Sequence, residues 1–320
     1  MKRRTILTGA IVAMAASLPT ASMAEWPERP IRMIVPFGPG GGADTLGRTV
    51  AQPLSELLGV EIVAENVTGA GGTIGVGTLA TSEADDYTIG VVNVSTNVTA
   101  PAVRDNLPYD PATSFEYIAM LGGAPTVIAV NPDTGITSLE ELVAAAEAAD
   151  PMMAYGSPGT LTMSNLVPAK YFQDIGVSVE AIPYQGAAAA VQDAVAGHIP
   201  FTGTTFSTAR PHLDEGTLIP LAISTDERVA SYPDVPTFAE LGHGDLTSLT
   251  WFGIAAPAGT SPEVVERIND GVNQVLQMPE IIEFLENQGF VIIPMEPAEF
   301  ETYAAEQLER FGPVARSVSE

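Results

Sequence analysis

Apolar residues recur along the chain in two rhythms: short branched runs, and longer faces spaced by three and four. Ile31 to Val35 is unbroken and branched, the pattern of a strand buried on both sides in a parallel sheet. Leu46, Val50, Leu54, Leu57 and Leu58 then share one face of a helix predicted to begin at Asp44 or Thr45, with a kink expected at Pro53. The same alternation continues to the end. Further strands are predicted at 60–64, 87–92, 126–130, 153–155, 179–182, 218–224 and 251–256. Helices are predicted at 73–80, 138–149, 187–196 and 297–316, and from Ser261-Pro262 onward. Ser138 and Glu141 open the second of these as a capping box. Strand and helix alternating in this way indicate an α/β fold with parallel sheets.

Three strand ends run into loops of small residues: Phe37-Gly38-Pro39-Gly40-Gly41-Gly42, Gly69-Ala70-Gly71-Gly72 and Gly156-Ser157-Pro158-Gly159-Thr160. A glycine loop followed by a helix start collects free backbone N–H groups and the positive end of a helix dipole, which suits an anion. The first loop lacks the Gly-Lys-Ser/Thr ending of a nucleotide P-loop and the dinucleotide fingerprint. Asp44 reads first as a helix N-cap and second as a holder of a water or ligand amine. Ser157, Thr160 and Thr162 are candidate donors to a carboxylate, and Phe37 and Tyr184 candidate walls. Trp251 and Phe252 are assigned to the core, and Arg32, Arg48, Arg104 and Arg210 to surface ion pairs. His198, His212 and His243 have no zinc-binding spacing, and no metal or cofactor is expected. An exported serine hydrolase would have to use Ser157, yet no base lies near it in sequence.

Lys2-Arg3-Arg4, an apolar stretch to Leu18 and Ser22-Met23-Ala24 have the form of a cleavable export signal covering residues 1–24. Removing 24 of 320 residues leaves 296, enough for two domains. Three of the 13 basic residues and none of the 39 acidic ones lie in the signal, so the processed chain carries a net charge of −29. Nucleic acid is excluded as a partner by that charge. The absence of cysteine excludes disulfides and lipidation at a processed cysteine.

The stretch from Trp26 through Pro36-Phe37-Gly38 to Asp44 resembles the opening of the tripartite tricarboxylate transporter receptors, also called Bug or TctC-like proteins. So do Glu65-Asn66, Leu107-Pro108-Tyr109-Asp110-Pro111, Tyr155-Gly156-Ser157, Pro183-Tyr184-Gln185-Gly186, Pro233-Asp234-Val235-Pro236-Thr237 and Trp251-Phe252-Gly253. The resemblance implies a periplasmic receptor of two α/β lobes, similar to type II periplasmic binding proteins, each with a mainly parallel sheet and with the ligand cleft between them. Lobe 1 would comprise 25–123 plus 248–320, and lobe 2 124–247. It further implies a monomer that binds a small organic carboxylate and delivers it to membrane permease subunits, or a sensor subunit for a membrane kinase using the same pocket. The ligand residues carried over are Phe37, Gly38, Gly40, Gly41, Gly42, Asp44, Thr96, Ser157, Gly159, Thr160, Thr162, Tyr184, Gln185, Gly186 and Thr204. The chain departs from the family pattern at Leu161-Thr162-Met163, at Asn165 and at Gly203-Thr204-Thr205.

Overall fold

A computed structural model describes residues 26–319; the export signal expected at 1–24 lies outside them. The chain opens with β1 (Ile31–Val35), α1 (Gly42–Leu58), β2 (Ile62–Asn66), α2 (Thr73–Ala80) and β3 (Thr88–Asn93). A π-helical turn, Ser95–Thr99, then leads into α3 (Ala100–Val103). Next come β4 (Phe115–Val130), α4 (Leu139–Glu147), β5 (Ala154–Ser157), α5 (Met163–Asp174), β6 (Glu180–Pro183) and α6 (Ala187–Val195). They are followed by β7 (Phe201–Thr205), α7 (Phe206–Asp214) and β8 (Ile219–Ile223). The chain closes with β9 (Leu249–Pro257), α8 (Pro262–Val275), α9 (Pro279–Asn287), β10 (Val291–Met295) and α10 (Pro297–Ser319).

The strands form two halves joined through β4, in the order β2-β1-β3-β9-β4-β7-β5-β6. Parallel pairing joins β1 to β2 and β3 in one half, and β5 to β6 and β7 in the other. Antiparallel pairing joins β9 to β3 and β4, and β4 to β7, β8 and β10. Both halves are therefore mixed, with parallel strands outermost. From Phe115 to Pro125, β4 pairs with β9; from Thr126 to Val130 it pairs with β7.

The expected strand at 126–130 is the end of this 16-residue strand. Gly122 and Gly123 lie inside it, where their lack of a side chain lets two backbones come close. A Cβ on Gly122 would stand 2.1 Å from the Val291 carbonyl oxygen, and one on Gly123 would stand 2.6 Å from that of Thr250. The sequence pattern also passes over β7, α7, α9 and β10. Helix α1 begins at Gly42 with Gly41 as its N-cap, earlier than expected, and continues through Pro53 to Leu58.

Three apolar cores hold the halves. One lies beneath α1 and α8, with Leu46, Val50, Leu54, Ile268 and Val272 all buried. Another lies beneath α6 and α7, with Val191, Ala194, Phe206 and Leu213. The largest runs through both halves: Phe115, Tyr117, Trp251 and Phe300 on one side, Tyr155, Phe172 and Phe201 on the other. Met163 and Leu166 of α5, Leu246 and Phe311 of α10 meet where the two sides join.

The candidate carboxylate site between the lobes

The first glycine loop is held in shape from behind. Gly40 has a φ of 76°, a left-handed conformation open to glycine, and its N–H donates to Asp44 Oδ2 at 3.0 Å. Asp44 Oδ1 accepts from Arg48 Nε at 2.8 Å and from Asn66 Nδ2 at 2.8 Å. Asn66 Nδ2 also reaches the Phe37 carbonyl at 2.9 Å. Burial alone would raise the Asp44 pKa, but the hydrogen bonds from Asn66, Gly40 and Arg48, with the Arg48 charge, outweigh it and hold the pKa below the usual value. Asp44 is thus a brace for the loop, not a free ligand contact, and it sits in the first turn of α1 and not at its cap.

The third loop is braced in the same manner by one side chain. Asn165 Nδ2 donates to the Thr160 carbonyl at 2.8 Å, while its Oδ1 accepts from the Tyr155 hydroxyl at 2.8 Å. Thr162 Oγ1 donates to the Gly159 carbonyl at 2.7 Å. The halves meet across the cleft: the Gly38 N–H donates to the Gln185 carbonyl at 3.1 Å, and Thr99 Oγ1 donates to the Leu161 carbonyl. Gly186 lies against Gly38 and Gly159 against Gly71, each so near that an added Cβ would stand 3.2 and 3.1 Å from the facing backbone. This is a closed arrangement.

Two hollows remain in the cleft. The deep one has a volume of about 30 Å³, room for about two waters. Gly41 at the N-cap of α1 and Gly42 and Ala43 within it line it, with Thr162 at the N-cap of α5, Ser164 within α5, Ala187 of α6 and Thr205 at the N-cap of α7. Helices α1, α5, α6 and α7 therefore all present their N-terminal ends to it, and none of the four has a side-chain cap. Unsatisfied first-turn N–H groups carry the positive end of each dipole, worth about half a charge apiece. Asn93, Ser95 and Thr250 add polar side chains; Phe37, Pro158 and Phe252 close the walls. Ser95 Oγ and Thr250 Oγ1 are buried without a hydrogen-bond partner. Among the described residues, no charged side chain lines this hollow. The donor set fits a carboxylate whose charge is met by main-chain dipoles.

The outer hollow, about 250 Å³, is bounded by Gly69 to Gly72, Arg104, Pro158, Gly159, Thr160, Pro183, Tyr184 and Gln185, with Phe37 shared between the two. Tyr184 donates its hydroxyl to Asp193 at 2.7 Å. Its pKa is pushed up to about 12, by burial first and then by Asp193, so it stays neutral. A larger groove, about 780 Å³, lies beside α5 and the end of α10, and Arg104 borders it as well.

Of the expected ligand residues, Phe37, Gly41, Gly42 and Thr162 line the deep hollow; Phe37, Gly159, Thr160, Tyr184 and Gln185 line the outer one. Gly38 and Gly186 meet each other instead, and Gly40 and Asp44 lie behind the loop. Thr96 turns away: its Oγ1 is engaged with Asn93 and Asn97, and Ser95 and Asn93 line the hollow in its stead. Thr204 and Ser157 are fully buried beside the cleft without lining it, and Thr205 takes the place expected of Thr204. Ser157 Oγ has no partner, and His198, His212 and His243 lie against Asp193, Thr217 and Tyr171. A serine nucleophile with a base is not present among the described residues. Phe252 belongs to the core beneath α1 and α8, as expected, and also forms part of the deep wall; Arg104, expected in an ion pair, borders the outer hollow.

A family model described as "Tripartite tricarboxylate transporter family receptor" matches residues 46–319. The chain belongs to that family. Protein BugT of Bordetella pertussis is 31% identical over 99% of this chain and 97% of its own length. Among solved structures, an R. palustris protein with adipate has a TM-score of 0.87 and 28% identity, covering 92% of this chain and 99% of that one. MatC from Rhodopseudomonas palustris with bound malate has a TM-score of 0.85 and 26% identity, covering 91% and 100%. This chain, as a member of the receptor family, has the two-lobed α/β fold of periplasmic binding proteins and is a solute-binding protein, not an enzyme.

Proposed function

We propose that this receptor captures a small organic carboxylate between its lobes in the periplasm and hands it to the permease subunits of a tripartite transporter. The observation that carries this reading is the convergence of four uncapped helix N-termini on one hollow lined, among the described residues, by no charged side chain. A carboxylate needs donors aimed at two oxygens in a place where water is scarce, and four helix ends supply them without a cation. The bound adipate and malate of the similar R. palustris proteins support an organic acid as the guest.

Capture would work by closure. Lobe 1 (25–123 and 248–320) and lobe 2 (124–247) would swing about the stretches where β4 and β9 pass between the halves. The guest is then held by groups from both sides, and the closed form is what a permease recognises. The export signal at 1–24 would be removed before folding in the periplasm.

Thermal denaturation against a panel of mono-, di- and tricarboxylates tests this. An acid present at 100 times its dissociation constant raises stability by about 2.7 kcal/mol. A panel in which no organic acid shifts the melting temperature, confirmed by calorimetric titration, would refute the reading.

A further inference from the structure

The deep hollow is too small for a whole organic acid. Its volume of about 30 Å³ accommodates one carboxylate head, in the space of about two waters. The rest of a guest seated there has to pass Phe37 and Pro158, the residues shared by both hollows, into the outer one of about 250 Å³.

Among the described residues, one charged side chain borders that outer space, and it is positive. Arg104 follows α3 and faces the glycines of the second loop. Its Nη1 makes only long contacts, 3.4 Å to the Ala70 carbonyl and 3.3 Å to Thr73 Oγ1, at the weak end of hydrogen bonding. Arg29, Arg32, Arg48, Arg210 and Arg228 are all paired with carboxylates; Arg104, like Arg267, Arg310 and Arg316, has no acidic partner among the described residues, and of these four it is the one that borders the outer hollow. In a chain with 39 acidic residues and 13 basic ones, an unpaired guanidinium beside a chamber without a carboxylate is an electrostatic vacancy for an anion. A guanidinium fork also matches the two oxygens of a carboxylate.

Building on the deep hollow as a carboxylate site, we propose that Arg104 forms an outer subsite selecting guests with a second carboxylate at the far end of a short chain. The receptor is then a reader of elongated dicarboxylates. One end is bound by helix dipoles, the other by a side-chain cation, and the chain between them lies against Phe37 and Pro158.

Calorimetric titration of the full processed chain with two matched pairs, adipate with hexanoate and succinate with butanoate, tests the subsite. The wild type should bind adipate at least about tenfold more tightly than hexanoate, a gap of about 1.4 kcal/mol. Arg104→Gln should bring that ratio close to one, and Arg104→Lys, which keeps the charge but not the fork, should restore part of it. Circular dichroism and melting curves confirm that both variants fold. A ratio near one in the wild type, or a wild-type ratio retained in Arg104→Gln, overturns the subsite and leaves the deep hollow untouched. A wild type that binds no acid of either series overturns the deep hollow as a carboxylate site and the subsite with it.

Discussion

At the scale of single residues, the cleft separates groups that shape loops from groups that face a guest. Asp44 is the clearest of the first kind. Replacing it with Asn should cost about 2 kcal/mol, since the charge is removed and one of its two acceptor oxygens becomes an NH2 facing the donors Gly40, Arg48 and Asn66. Because its pKa is lowered in the folded state, its contribution is fully present above the ordinary carboxyl value and is lost as pH falls through the folded value. Urea unfolding should therefore show a constant difference between wild type and Asp44→Asn near neutral pH that shrinks below about pH 4. Ser95 is of the second kind, a buried hydroxyl with no partner at the deep hollow. Ser95→Ala should leave the unliganded melting temperature within a few degrees while weakening carboxylate binding about tenfold, as read by titration. Glycine spacing made the loops legible in the sequence. Ser95, Thr205 and Thr250 left no such mark, because a lone hydroxyl at a strand or helix end looks the same whether it caps, packs or binds.

Among the elements, apolar helix faces and branched strands were both legible. The faces of α1 and α8 follow from their apolar spacing, and the Ser138 cap of α4 is present, accepting from the Glu141 N–H. Strand β7 was hidden because Thr202, Gly203 and Thr204 are polar or small, although all of β7 is buried. Gly203 has to be small: an added Cβ would stand 2.3 Å from the Ser164 carbonyl oxygen of α5. The π turn at Ser95–Thr99 overlaps the polar stretch Asn93 to Asn97, whose pattern indicates a loop and not a helical turn. Helix α10 has a role that its own periodicity does not reveal. Phe311 is buried where α10 meets α5 and Leu246, and Gln173 of α5 donates to the Ser317 carbonyl at 3.0 Å. Phe311→Ala should destabilise the protein by about 3 kcal/mol. It should also loosen closure, seen as a larger radius of gyration in X-ray scattering and weaker carboxylate binding.

For the whole molecule, charge and site pull in opposite directions. A formal net charge of −26 over the full sequence repels the anionic guest that the helix ends attract locally. Salt weakens the long-range repulsion and leaves short contacts inside the cleft nearly intact. The association rate of a dicarboxylate should therefore rise with ionic strength while its dissociation rate changes little, which stopped-flow mixing can measure. Composition and length indicated two domains in one α/β chain. The resemblance set the crossings between lobes at 123/124 and 247/248, but that a single strand, β4, belongs to both halves was not readable.

That shared strand, with an apolar core continuous beneath it, has a calorimetric consequence. Neither half can melt while its neighbour keeps an intact edge and a dry interior. A heating scan of the unliganded receptor should give a single cooperative endotherm, with calorimetric and van't Hoff enthalpies in agreement.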